Sequence, residues 1–161
     1  MRIIEKFYEK VLKKEAPYYA KYSLALMLYK PIRKYINVVL IPNTPFSNLR
    51  VWMYRVIGFK IGKNVFIGMK CYMDDIDPKM TEIGDNVTIS YGCYFACHGK
   101  DQEHTPIKIK NGAYVGMRSS FVSGKEGIEV GENAIIGAQS LVNSSVASNT
   151  TVAGVPAKVL T

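Results

Sequence analysis

No stretch of this sequence reaches the roughly 18 consecutive apolar residues that a bilayer-spanning helix requires, so a transmembrane span is not expected. The first residues alternate charge and hydrophobe and lack the apolar core of a secretory leader, which makes the expected location cytoplasmic. Cysteine is sparse and odd in number. Cys71, Cys93 and Cys97 read as core thiols in a reducing compartment, not as a disulfide framework. Histidine is scarcer still: His98 and His104 are the whole supply, so no metal is expected, with a zinc site as the sharper alternative. Acid is nearly missing from the first 60 residues. These hold 12 of the 21 Lys and Arg against Glu5, Glu9 and Glu15, while the remainder sums to −1. The basic part is therefore expected to meet something anionic, either lipid headgroups or a phosphorylated substrate. Nucleic acid is not the expected partner, because no recognisable binding module is present.

What the chain does have is a period of six. Ile61-Gly62, Ile67-Gly68 and Met73 are followed by Ile83-Gly84, Ile89-Ser90 and Phe95-Ala96, by Ile109, Val115-Gly116 and Phe121, and by Val130-Gly131, Ile136-Gly137 and Val142. Four residues after the aliphatic position comes a small or β-branched class that includes Val65, Cys71, Val87, Cys93, Ala113, Ser119, Ala134, Ser140 and Val146. Six is a multiple of two, so short strands can supply it, but a plain meander does not demand a small residue after each large one. The interruptions, Met73 to Ile83, Phe95 to Ile109, Phe121 to Val130 and Val142 to Val152, each follow the third hexad of a group. Three sides and one corner that tolerates insertions describe a triangular prism of stacked parallel coils about 4.8 Å apart. The aliphatic residues point inward, and each glycine beside them serves either a positive φ or a close backbone approach.

Ahead of the prism, residues 2–15 read as an amphipathic helix stopped at Pro17, residues 18–29 as a second helix and Tyr35 to Ile41 as a third segment. A short helix follows from Leu49 to Ile57, with Arg50 and Arg55 outward, and at the other end the chain after Val142 is expected to finish the last coil and leave an extended tail from Thr151 to Thr161. The expected division is a helical extension over 1–57 and a β-helix over 58–161. Residues 1–40 either pack on the prism or a neighbouring subunit, or lie on a membrane surface as a basic amphipathic segment.

The longest break, Phe95 to Ile109, contains both histidines. Function concentrates in loops that leave a rigid scaffold, and imidazole is suited to take a proton from a hydroxyl near neutral pH. One coil earlier the same corner carries Asp74, Asp75 and Asp77. Stacking puts these beneath the His98 loop, where a carboxylate can orient the imidazole or bind the hydroxyls of an acceptor. Cys97 stands next to His98, but neighbours in sequence seldom have nucleophile–base geometry, so a covalent intermediate is not expected.

The motifs Gly58-Phe59-Lys60-Ile61-Gly62-Lys63-Asn64-Val65, Ile83-Gly84-Asp85-Asn86-Val87, Asn111-Gly112-Ala113-Tyr114-Val115-Gly116, Ile136-Gly137-Ala138-Gln139-Ser140-Leu141-Val142 and Val152-Ala153-Gly154-Val155-Pro156-Ala157-Lys158-Val159 resemble those of the hexapeptide-repeat acyltransferases. The resemblance covers about residues 50–161 and implies a mainly β fold, a left-handed parallel β-helix with an α-helical N-terminal extension. It implies direct acetyl transfer from acetyl-CoA to a sugar hydroxyl in glycan or polysaccharide synthesis, with His98 matching the general base of the sugar branch. His104 matches a functional histidine of the serine branch, and Asp74 or Asp75 the acceptor-binding aspartate. It further implies a homotrimer with acetyl-CoA in the groove between prisms, against Gly116, Ser119, Gly137 and Ala138, with its phosphates near Lys158. Lys125 and Arg118 are further cation candidates. The chain departs from the family pattern at Ser123–Gly127, where relatives often have a Pro-Gly-Val turn, and at Lys110, which replaces a glycine. The alternatives are serine acetylation, sugar-nucleotide N-acetylation and a non-catalytic β-helix scaffold.

Overall fold

The computed structural model describes residues 10–13, 24–98 and 104–160. The chain divides into two compact units, Met1–Tyr35 and Ile36–Thr161. The helix expected over 2–15 lies outside the described residues apart from a turn at 10–13. In the first unit, α1 (Leu24–Tyr35) runs through Pro31, beyond the expected end of the second helix, and leaves Leu28, Tyr29, Ile32 and Tyr35 exposed. No helix among the described residues is long and apolar enough to cross a membrane.

The second unit opens with a π-helical turn (Ile36–Leu40), a short α2 (Ile41–Asn43) and α3 (Ser47–Val56). Fourteen short strands follow. β1 (Lys60–Ile61), β4 (Thr81–Ile83), β7 (Ile107–Ile109) and β10 (Ile128–Val130) stack as one face. β2 (Phe66–Ile67), β5 (Thr88–Ile89), β8 (Tyr114–Val115) and β11 (Ile135–Ile136) begin the second face, which β13 (Thr151–Ala153) and β14 (Lys158–Val159) extend. β3 (Tyr72–Met73), β6 (Tyr94–Ala96), β9 (Ser120–Val122) and β12 (Leu141–Val142) make the third. Every pairing between coils is parallel and keeps the hexad register: Ile61 with Ile83, Ile67 with Ile89, Met73 with Phe95. This is the expected three-sided β-helix of about four turns. The aliphatic columns are buried as predicted, and each such side chain contributes on the order of 1.5–3 kcal/mol. On the third face Phe95 and Phe121 stack at 4.7 Å and 5°. All three cysteines are buried free thiols.

Three expectations need correction. The last interruption is not an insertion. Val146 bridges to Val130 on the first face, and Val152 pairs with Ile136 on the second, so the final corner is shortened and Val146 to Val152 is itself a hexad. The C-terminus is not an extended tail either: β14 folds back antiparallel on β13. Most instructive is Arg50, which was expected to point outward and is buried. Along the faces each coil donates N–H groups to carbonyls of the coil above, as Gly62 does to Ile83 and Gly84 to Ile109, while at the corners the upper coil donates down, as Asn86 N–H does to Lys63 O. The carbonyls of the first coil therefore have no coil below them. The Arg50 guanidinium donates to Ile67 O at 3.0 and 2.6 Å and also reaches Thr44 O, Arg55 Nε donates to Ile61 O, Tyr54 OH to Cys71 O and Asn37 Nδ2 to Met73 O. Side chains from the helices thus close an edge that would otherwise stay bare.

The glycine after the aliphatic residue serves close approach, not a positive φ. A Cβ on Gly116 would lie 2.5 Å from Ala138 N and 2.8 Å from Gly137 C, whereas positive φ falls two residues after these glycines, at Asn64, Lys70, Asn86, Arg118, Asn133 and Gln139. Gly116→Ala is accordingly expected to cost about 1–3 kcal/mol of stability in chemical denaturation, while Gly124→Ala, where a Cβ meets nothing within 4 Å, stays within about 0.5 kcal/mol.

Candidate active site

Three excursions leave the prism at one corner, between the third face and the first: residues 74–80 after β3, 97–98 and 104–106 after β6 and 123–127 after β9. Because they stack, the earliest lies below the other two. Asp74, the first residue after β3, is 1% exposed, and hydrogen bonds fill its carboxylate. Oδ1 accepts the Ile76 N–H at 3.0 Å, and Oδ2 accepts the Cys97 N–H at 2.9 Å. On the same Oδ2, His98 Nδ1 stands at 2.5 Å. A carboxylate only accepts, so the proton of this bond sits on Nδ1, and Nε2 keeps the lone pair. The imidazole is about one third exposed, at 36% of its side chain, with Nδ1 taken up by Asp74. A ring held in one tautomer by a buried acid is an arrangement able to accept a proton from an incoming hydroxyl.

The loop that carries His98 is pinned at its base. His98 and His104 face each other in an antiparallel bridge, and the Thr105 N–H donates to Cys97 O at 2.9 Å. Thr105 Oγ1 lies 2.6 Å from Gly124 O and 2.8 Å from Ser123 Oγ, which ties the loop to the excursion above it. The sequence reading missed Thr105 and Ser123 in this role; a hydroxyl at each of two stacked corners was the available signal. His104 is exposed. Residues 99–103 lie outside the described residues. Asp75 is half-buried, with Tyr72 OH 3.5 Å from its Oδ1. Burial, together with Asp74 and Asp75, pushes the Tyr72 phenol up. The Cys97 thiol is buried and 3.4 Å from Thr81 Oγ1. Burial, reinforced by Asp74, pushes it up to about 11, so it stays protonated near neutral pH. No group of three His, Cys, Asp or Glu suited to a metal ion occurs among the described residues.

The other predicted residues occupy a different corner. Gly116, Ser119, Gly137 and Ala138 all lie between the second face and the third. Ser119 is fully buried, and its hydroxyl bonds to Gly116 O and Gly137 O, both at 2.9 Å, so its side chain faces the interior. Of the four, Ala138 is the exposed one. Lys158, on β14, is exposed and lines a cavity with Val142, Val146 and Val152 at the last coil. Arg118 belongs to the same corner as Gly116 and has a positive φ, whereas Lys125 is exposed in the excursion above the His98 loop. Within one chain the histidines and carboxylates come together, and the Gly116–Ala138 set stands apart from them across the third face.

A family model described as the hexapeptide repeat of succinyl-transferase matches residues 58–95 and 106–144. Galactoside O-acetyltransferase of Escherichia coli is 30% identical over 123 residues, covering 68% of this chain and 59% of that protein. Serine acetyltransferase of Staphylococcus epidermidis is 34% identical over 103 residues, covering 64% of this chain and 46% of that one. The chain thus spans about half to three fifths of the length of these two relatives. Among solved structures, a hexapeptide-repeat-containing acetyltransferase from Vibrio cholerae, in complex with acetyl coenzyme A, superposes with a TM-score of 0.69 at 23% identity, covering 95% of this chain and 96% of that one. At that identity the likeness is one of fold.

Proposed function

We propose, on the premise that this chain belongs to the hexapeptide-repeat acyltransferases, that it transfers the acetyl group of acetyl-CoA to a hydroxyl of a sugar in glycan or polysaccharide biosynthesis. The observation that carries this reading is the pair of buried Asp74 and one-third exposed His98, 2.5 Å apart at the corner where the excursions leave the prism. His98 Nε2 takes the acceptor's hydroxyl proton as the oxygen attacks the thioester carbonyl. The tetrahedral adduct then collapses, and the departing CoA sulfur takes the proton back from the imidazolium. Asp74 does not exchange protons; it holds the tautomer and stabilises the transient positive charge. His104, across the bridge, and Asp75 are assigned to the acceptor. The protonated Cys97 thiol supports direct transfer without an acyl-enzyme.

The two separated corners support a homotrimer. Gly116, Ser119, Gly137 and Ala138 line the path for the pantetheine arm, Ser119 through its main chain only, and Lys158 meets the phosphates. These groups stand across the third face from His98, so a neighbouring prism has to bring its own corner to complete the site. In this reading 58–161 is the catalytic body and 1–57 a helical extension, the protein works in the cytoplasm, and residues 1–40 can contact an anionic membrane.

Thiol release from acetyl-CoA tests the activity, with galactosides, maltose, lipid-linked sugars, a sugar-nucleotide amine and L-serine as acceptors. Turnover with a sugar hydroxyl is the expected result. Turnover with L-serine alone would move the assignment to the branch of the 34% identical relative, and no turnover together with no CoA binding would leave a scaffold. Light scattering is expected to give three times the 18.0 kDa chain mass.

A further inference from the structure

Helix α3 buries Arg50, Val51 and Tyr54 against the first coil and turns large apolar side chains away from it. Leu49 is 44% exposed, Trp52 57% and Val56 64%, and Phe46, just ahead of the helix, is 69% exposed. Their spacing of three, three and four places them on one stripe. A helix lying on a soluble prism normally presents polar residues there; here only Asn48 and Arg55 are polar among its exposed positions.

The charge around this stripe is predominantly basic, with Glu82 of the second coil paired to Lys60 at 2.5 Å. Between Glu15 and Asp74 the sequence contains nine Lys and Arg and no acid. Of these, Arg55, Lys60, Lys63 and Lys70 are exposed on α3 and the first coil. A second copy of the chain placed against this face would oppose like charges, and residues 1–35, with a net charge of +6, carry the same sign. An anionic lipid surface complements both features. Headgroups attract the basic rim, and tryptophan favours the boundary between headgroup and acyl chain.

We propose that the base of the prism docks on an anionic membrane surface through Phe46, Leu49, Trp52 and Val56, with α3 lying in the interface. This surface belongs to the prism-bearing unit and is distinct from residues 1–35. Docking does not depend on the chemistry proposed above. A consequence that does rest on it concerns the acceptor: Asp74 follows the first coil and His98 the second, so the pair stands within a few coil spacings of about 4.8 Å from the docked base, in reach of a lipid-linked acceptor.

Trp52 is the chain's single tryptophan and reports on the contact directly. The experiment adds vesicles of phosphatidylcholine alone, or of phosphatidylcholine with phosphatidylglycerol, to the full-length protein and follows emission and co-sedimentation. Phosphatidylglycerol vesicles are expected to shift Trp52 emission to the blue and to sediment the protein at low salt, less so at high salt. The double variant Phe46→Ser with Val56→Ser, which keeps the reporter, is expected to lower the partition coefficient at least about tenfold. Binding without an emission shift, a double variant that binds like the parent, or emission already blue and shielded from iodide before lipid is added would each overturn the proposal. The same vesicles without any acyl acceptor serve for all arms, so a negative transferase assay leaves this result readable.

Discussion

His98→Ala is expected to lower acetyl transfer by about two to four orders of magnitude, the range that a positioned general base contributes, with little change in stability. The ring is one third exposed and touches the fold through its bond to Asp74, so removing it leaves no large cavity. The sharper variant is Asp74→Asn. An amide oxygen in the place of Oδ1 still accepts the Ile76 N–H, but the NH2 then replaces Oδ2, where it donates to Nδ1 and loses the Cys97 N–H bond. This drives the imidazole proton to Nε2, the atom that has to receive one. Activity is expected to fall at least about a hundredfold in kcat, with the KM for acetyl-CoA held and a stability cost of about 1–3 kcal/mol for the lost Cys97 bond. A loss confined to thermal stability, or an unchanged kcat, would assign Asp74 to the architecture of the corner alone.

The second large effect is on the fold. Phe121→Ala should destabilise the protein by about 3–5 kcal/mol, a drop in melting temperature of roughly 10 °C. Phe121 is fully buried and stacked on Phe95, with Val142 above it in the same column. Coils on either side are joined by main-chain bonds in register, so they cannot collapse into the space. Tyr94→Ala is the matched control. Tyr94 neighbours Phe95 but points outward, 42% exposed and stacked on Tyr72 at 4.5 Å; its loss should cost about 1 kcal/mol. Thermal unfolding monitored by circular dichroism separates the two, and equal losses would mean the inward and outward columns are wrongly assigned.

The prism itself could be read from residue order, because a coil is a local object. Six residues make one side, and the inward residue recurs wherever the chain returns to the same face, so Ile67, Ile89, Val115 and Ile136 announce their column without any long-range information. The corner at which the excursions leave was equally readable. Insertions can leave a stacked prism only where they do not break the register, and His98 and Asp74 both follow a third side. The hand of the coil had no such signature in the spacing.

What residue order left open was settled by groups that meet across coils or at the ends of the stack. Arg50 looks like an exposed helix residue until the lowest coil is seen to have carbonyls with nothing beneath them; a buried guanidinium is then the cheapest donor within reach. Val146 looked like one more member of the small or β-branched class that follows each aliphatic residue, and only its bridge to Val130 shows that the last corner is cut short. The glycine beside each aliphatic residue was compatible with a positive φ until the neighbouring backbone was found 2.5 Å from where the Cβ of Gly116 would be. The contact between Asp74 Oδ2 and His98 Nδ1 depends on side-chain direction and on the vertical spacing of two coils. Hydrophobic periodicity encodes which face a residue occupies, but hydrogen bonds between coils depend on atoms 13 or more residues apart, and those are fixed only when the stack closes.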